Sequence, residues 1–347
     1  MTGFPGDAAM ASVAPCDTPF AFLLGLPFLR PGVLWERAMA LHAPVLISAN
    51  ALSRYRTDSI DLRVWDGFDH RHLGLVSRHP VALDSAGFVA ARRYRGFPWS
   101  TDDYLDLAAA APWLWWAAQD LCVEPEVADD NDAVLDRVSG TVRLNMVCLR
   151  GGERRAIADR FVPVLQGWHP HHYLRCLDRM PWVLDRPLIG IGSMCRRHIL
   201  GEHGILHVLD VLDRAFAGTT SKWHLFGLKS QAIAIACRHP RVASADSQAY
   251  GVAACQQALR SRTSKSDTML ATVMARWHGQ QMQAIASRPV VPPTQSRPHP
   301  IDRRPAKPVE ARIAGAMEQL RALHECGDVD WNDLSALAAY QFAFLDD

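Results

Sequence analysis

The sequence predicts an α/β protein, a closed (β/α)8 barrel followed by a helical extension, and two patterns predict it. Short apolar runs alternate with stretches of helical spacing up to about Tyr250. Most of the runs also end in a small or polar residue, as strands do when one rim of a barrel is kept for chemistry.

The runs are Phe20–Leu26, Pro44–Asn50, Val81–Phe88, Trp113–Asp120, Phe161–Gly167, Leu188–Ser193, Trp223–Gly227 and Arg241–Asp246. Thr101–Ala111 and Gly204–Phe216 show the 3.6-residue period between them. Strands alternating with helices imply a parallel sheet, and eight such units close into a barrel. Val142–Leu149 reads two ways, as a ninth strand or, with Ala133–Val138, as part of a helix. Beyond Tyr250, Cys255–Arg260 and Thr268–Ile285 are helical and complete the outer ring. Residues 288–308 are rich in Pro and Arg and read as a linker, and Glu310–His324 and Trp331–Phe344 read as a terminal helix pair. The division is a TIM-barrel domain over 1–287, a linker over 288–308 and a helical extension over 309–347.

Of 347 residues, 49% are hydrophobic and 21% charged, the composition of a chain with a sizeable core. Lys and Arg number 37 against 36 Asp and Glu, so a net charge of +1 announces no polyanionic partner. A protein touching nucleic acid locally needs a basic patch, not a basic average. The eight cysteines (16, 122, 148, 176, 195, 237, 255, 326) are dispersed without a Cys-x-x-Cys pair and read as reduced thiols. Phe20–Leu29 is too short to span a membrane and is interrupted by Pro27, and the start lacks a basic leader. The expectation is a cytoplasmic protein with no membrane association.

Asn50, Asp84, Asp120, Gln166, Ser193 and Asp246 all stand at C-terminal strand ends, hence on one face of the barrel. A carboxylate at the end of an apolar strand is costly to bury without a partner or a task. A single one caps a βα loop as readily as it does chemistry. Several converging on one rim point to chemistry.

Here the residues resemble a family. Ala82-Leu-Asp-Ser-Ala-Gly-Phe88 is similar to the Thr-Asp-Ser-Gly-Gly-Phe/Tyr motif of the tRNA-guanine transglycosylases. Gln119-Asp-Leu-Cys122 resembles their Phe-Asp-Glu-Cys, and Val164-Leu-Gln-Gly167 their Val-Gln-Gly. Ile189-Gly-Ile-Gly-Ser193 stands for Ala-Val/Ile-Gly-Gly-Leu, His224-Leu-Phe-Gly227 for Tyr-Leu-Met-Gly, and Val242-Ala-Ser-Ala-Asp246 for Ile-Asp-Met-Phe-Asp. The resemblance spans roughly residues 20–251 and makes Val142–Leu149 non-strand. Gly190-Ile-Gly-Ser-Met-Cys-Arg-Arg197 and Ser244-Ala-Asp-Ser-Gln-Ala-Tyr250 look like the DNA-modifying branch, the 7-deazaguanine DNA transglycosylases. The tRNA enzymes carry a Cys-x-Cys-x-x-Cys…His zinc site after the last barrel strand. Only Cys255 and His278 are available here, too few for structural zinc, so no metal and no cofactor is expected.

The resemblance implies that Asp246 attacks C1′ of deoxyguanosine and that Asp84 is the acid/base, two carboxyl groups working across the sugar as in retaining glycosidases. It implies that Asp120 and Gln166, with Gly167, read the purine edge, and that the backbone at Gly192 and Ser193 adds a donor. Phe88 and Phe226, the latter beside Gly227, would sandwich the extruded base. Ala86 and Val89 replace a Gly and a polar residue of the motif, and Ser193 replaces a Gly. Loss of the polar group at Val89 suits deoxyribose.

Arg92, Arg93 and Arg95, and Arg196 and Arg197, follow strand ends on the active face and are the candidates for gripping DNA phosphates. His169, His171 and His172 read as a solvated loop, the Cys195/His198 pair as incidental, and Trp113, Trp115 and Trp116 as packing. The expected partners are DNA and a free 7-deazaguanine base such as preQ0, with an ATPase-like helper and a homodimer left open. The alternatives are a tRNA enzyme of the same chemistry and a non-catalytic nucleic-acid-binding subunit on this fold. Retention of both Asp84 and Asp246 speaks against the latter.

Overall fold

The computed structural model describes residues 20–57 and 63–287, together with Met317. Its strands in chain order are β1 (Ala21–Leu26), β2 (Val45–Ser48), β3 (Ser53–Thr57), β4 (Arg63–Phe68), β5 (Val81–Asp84), β6 (Trp116–Ala117), β7 (Phe161–Val162), β8 (Val164–Leu165), β9 (Leu188–Ile191), β10 (Lys222–Leu225) and β11 (Val242–Ser247). All but β3 and β4 join one parallel sheet in the order β7-β6-β5-β2-β1-β11-β10-β9-β8. The outermost two are halves of one strand interrupted by Pro163. β7 pairs with β6, and β8 pairs with β9. The nine segments therefore occupy eight positions, and the (β/α)8 barrel expected from the alternating runs is present.

The interruption follows from proline chemistry, because Pro163 has no N–H to give a neighbouring strand. Its carbonyl still accepts from the N–H of Gly190 at 2.8 Å. The buried Asn145 replaces what is lost: its Oδ1 accepts from Val164 N–H at 2.8 Å and its Nδ2 donates to the Val164 carbonyl at 3.1 Å. Asn145 belongs to the helix Asn131–Arg154, which settles Val142–Leu149 as helix. Asp130 caps that helix by accepting from the N–H groups of Asp132 and Ala133.

Thr101–Ala109 and Ile205–Ala215 are helical as the period predicts. Tyr250–Ser261 and Asp267–Ala286 close the ring against β1 and β11. Cys255 and His278 lie within this packing, and the His278 ring stacks on Phe22 at 6.0 Å between centroids. Trp113 and Trp116 are buried, with their indole N–H groups on the carbonyls of Leu107 and Ile157. Cys122, Cys148, Cys176, Cys195 and Cys237 are free thiols, whereas Cys255 is disulfide-bonded, which corrects the reading of every cysteine as a thiol.

One element has no counterpart in the sequence reading. β3 and β4 form an antiparallel hairpin between β2 and β5. It is seated by Trp65 and Phe68, which pack on Trp99 at 6.2 and 5.2 Å. Among the described residues no helix is long and apolar enough to cross a membrane. The linker over 288–308 and the helix pair Glu310–His324 and Trp331–Phe344 lie outside the described residues, Met317 apart.

Candidate active site

The barrel brings the strand-end polar residues together at its C-terminal rim. Asp84 closes β5, in register with Ser48 of β2. Asp246 lies in β11, with Leu23 of β1 opposite it. Asp120 and Gln166 follow β6 and β8, and the Gln166 amide donates to Asp120 Oδ2 in a short hydrogen bond. Ser85 donates to the other oxygen, Asp120 Oδ1, at 3.0 Å. Ser193 Oγ donates to Gln166 Oε1 at 2.6 Å and accepts from Val123 N–H at 2.7 Å. The chain Ser85–Asp120–Gln166–Ser193 thus links four barrel loops in one buried polar network.

Two glycines make this closeness achievable. A Cβ on Gly192 would lie 2.1 Å from Gln166 Nε2, and one on Gly87 would lie 2.8 Å from Asp120 Oδ1. The Gly192 N–H is engaged with the Leu165 carbonyl at 3.0 Å and its carbonyl with Tyr173. The backbone donor expected from Gly192 is therefore taken by the barrel ladder. Ala86 and Ser193, the positions where the motifs have glycine, both adopt left-handed backbone, with φ of 70° and 56°. A side chain there costs about 1–2 kcal/mol. Local bonds hold each in place: Ala86 N–H donates to Asp84 Oδ2 at 3.0 Å, and Ser193 has its two hydroxyl contacts.

Burial, and the charges of Asp120 and Asp246, push the Asp84 carboxyl up to about 7. Burial pushes Asp120 up to about 6, although Gln166 and Ser85 pull it the other way. Raised carboxyls bind more protons folded than unfolded at intermediate pH, so stability falls as pH rises from near 4 through about 7. Asp84→Asn is expected to melt at a higher temperature than wild type at about pH 8, with the difference closing toward about pH 4. Thermal melts of both proteins across that range check this, and a difference that grows on acidification would refute it.

Asp246 is held differently. Its Oδ1 accepts from Gly227 N–H at 2.8 Å and faces His224 Nε2 at 3.3 Å. Gly227 takes φ 68°, and a Cβ there would meet Cys195 at 3.2 Å. His224 is the residue that motif reading passed over. It is 0% exposed, with Nδ1 on Ser244 Oγ at 2.8 Å and its ring against Trp115 and Phe226. Its place was visible in principle, since the two-residue period puts 224 on the same inward face as 226. Glu124 was also missed: burial pushes its carboxyl up to about 7, and its Oε2 has no hydrogen-bond partner among the described residues.

Phe226 packs against Gly190 within the barrel, and Phe88, 38% exposed, stands on the loop after β5. The Asp120 carboxylate, the Gln166 amide and these rings are groups suited to a flat, hydrogen-bonding ligand.

The arginine candidates separate into kinds. Arg93 and Arg95 are exposed on the loop after β5, Arg93 lying 5.8 Å over the Tyr94 ring. Tyr94 stacks on Tyr55 of the hairpin at 5.5 Å, and both hydroxyls donate to Asn50. The hairpin therefore packs on the same rim through Tyr55. Arg92 and Arg196 converge on one carboxylate oxygen of Glu126. Arg197 corrects the reading of it as a surface phosphate contact. It is 1% exposed and donates to the carbonyls of Ser193, Gly167, Trp168 and His203 and to the Tyr173 hydroxyl. Its guanidinium is the internal fastener of the loops after β8 and β9.

His172 is likewise no solvated loop residue. It is buried, its Nδ1 accepts from the N–H groups of Trp168 and His169, and its Nε2 faces Asn131 Oδ1.

A parallel α/β barrel with carboxyl groups gathered over its C-terminal mouth defines a protein of the barrel-enzyme class. The chain belongs to the DpdA family, DeoxyPurine in DNA protein A, whose family model matches residues 42–295 of 347. Membership assigns it a DNA-modifying role of the transglycosylase type. The matched stretch begins after β1, which the fold adds to the barrel between β2 and β11. No curated protein matches the chain.

Proposed function

We propose that the protein exchanges guanine in DNA for a 7-deazaguanine of the preQ0 type through a covalent ester on Asp246. The observation that carries this is electrostatic: Asp84 senses the charges of both Asp120 and Asp246 and is pushed up to about 7. A carboxyl poised there is protonated often enough near neutrality to act as an acid, and ionises readily enough to act as a base.

The steps follow from that poise. Asp246 attacks C1′ while the C1′–N9 bond to guanine breaks, and Asp84 delivers its proton to the departing base. Guanine leaves and the 7-deazaguanine enters the same pocket. Asp84 takes the proton from N9 of the incoming base, the new C1′–N9 bond forms, and Asp246 is released as carboxylate. Two displacements at one carbon retain its configuration. Gly227 N–H and His224 orient Asp246 for attack. Asp120 and Gln166 read the purine edge through the hydrogen-bonding capacity their mutual bond leaves, and Phe88 and Phe226 stack on its faces. Arg93 and Arg95 take the DNA backbone.

The test is nucleoside mass spectrometry of DNA and tRNA from cells expressing the chain with a preQ0 supply. Deazaguanine is expected in DNA digests and absent from tRNA. Incorporation into tRNA alone would make it a tRNA enzyme. DNA binding without incorporation into either would make it a non-catalytic subunit.

A further inference from the structure

We propose that His169, Glu202 and His203 form a binding site for a divalent transition-metal ion of the zinc type, clipping together the loops that follow β8 and β9. One ligand atom from each of the three residues lies within 4.8 Å of the others. The two imidazoles stand edge to face with centroids 4.0 Å apart. Ligands bonded to zinc at about 2.0–2.2 Å stand somewhat closer together than this, a gap that small side-chain rotations close.

Two observations of geometry support a ligand at this cluster. His203 Nδ1 is buried with no hydrogen-bond partner, an arrangement that is costly unless something else satisfies the atom. The backbone is already fixed: Arg197 Nη1 bonds both the Trp168 carbonyl and the His203 carbonyl at 2.6 Å, so binding need not order either loop.

The donor set selects the class of ion. Two imidazole nitrogens and one carboxylate oxygen suit zinc, cobalt or nickel, whereas magnesium and calcium require mostly oxygen. His172 is excluded because both of its ring nitrogens already face partners. The His-Pro-His-His run alone could not suggest this set, because the other two ligands come from residues 202 and 203 on the next barrel loop. The proposal stands apart from the transglycosylase reading, and its readouts need no activity.

The experiment uses the full chain without a histidine tag, stripped with chelator and titrated with Co2+ and then Zn2+. Visible cobalt absorption, calorimetry and thermal melts follow binding. One equivalent per chain is expected, with cobalt displaced by zinc, and melting raised by zinc in wild type. His169→Ala, His203→Ala and the exposed Glu202→Gln should each weaken binding by about tenfold or more, the loss that even an outer-shell partner brings. The exposed neighbour His171→Ala should bind as wild type does. Glu202→Gln changes no buried group, so it reports on binding even if a histidine variant folds poorly. Absence of stoichiometric binding, or binding equally strong in Glu202→Gln and both histidine variants, overturns the proposal. So does its loss in His171→Ala.

Discussion

Asp246→Asn is expected to leave a folded barrel that never becomes covalently linked to DNA, whereas Asp84→Asn is expected to be slow but not silent. The asparagine at 246 keeps the shape and the Gly227 contact but cannot act as nucleophile, so the displacement loses its first step. The asparagine at 84 leaves the nucleophile intact and removes only the proton donor. General acid–base assistance is worth about 10²–10⁴-fold, so Asp84→Asn should lose that much and retain a trace. Any ester it forms should persist, because no base remains to activate the incoming deazaguanine. The measurement is a denaturing gel of each variant with labelled guanine-containing DNA. A shifted protein–DNA band from Asp246→Asn, absent from wild type and Asp84→Asn, would mean that the nucleophile is another residue.

Arg197→Met is expected to cost several kcal/mol of stability, because each buried acceptor left without a donor costs about 1–3 kcal/mol. The reason is the number of groups left behind. The carbonyls of Ser193, Gly167, Trp168 and His203 and the Tyr173 hydroxyl lose a common donor at once. Methionine fills much of the volume but offers none of them a hydrogen. Arg93→Ala is the contrast: it should change stability by no more than about 0.5 kcal/mol. It should instead reduce the salt dependence of DNA binding by about one phosphate contact. Urea melts and salt-titrated DNA binding on both variants separate the roles. Wild-type stability in Arg197→Met, together with a reduced salt slope, would restore Arg197 as a phosphate contact.

The barrel was legible because its strands are buried on both faces, so they stand out as apolar runs that a local pattern detects. The eight runs all fall on barrel strands. The hairpin escaped because β3 and β4 are half-exposed and rich in arginine, and the segments Ser53–Thr57 and Arg63–Phe68 bury little beyond the aromatic seat on Trp99. Local pattern alone left Val142–Leu149 ambiguous, and only the motif order made it non-strand. The helix packs Asn145 against Val164, a contact between residues 19 apart that no local window contains.

The sequence by itself determined which polar residues reach the rim, because strand parity and strand ends are local properties and the motif order is linear. Asp84, Asp120, Gln166 and Asp246 needed nothing more. Only the tertiary structure decided what each group does once there. Arg196 and Arg197 are adjacent and chemically identical, yet one pairs with Glu126 at the surface and the other is enclosed by four carbonyls. His169 and His172 stand three residues apart at the start of one helix, Pro170–Asp178, yet one meets His203 and the other caps that helix. The physical reason is common to both pairs. A polar side chain is defined by which partners surround it and by how much water is removed, and both depend on loops far apart in the chain.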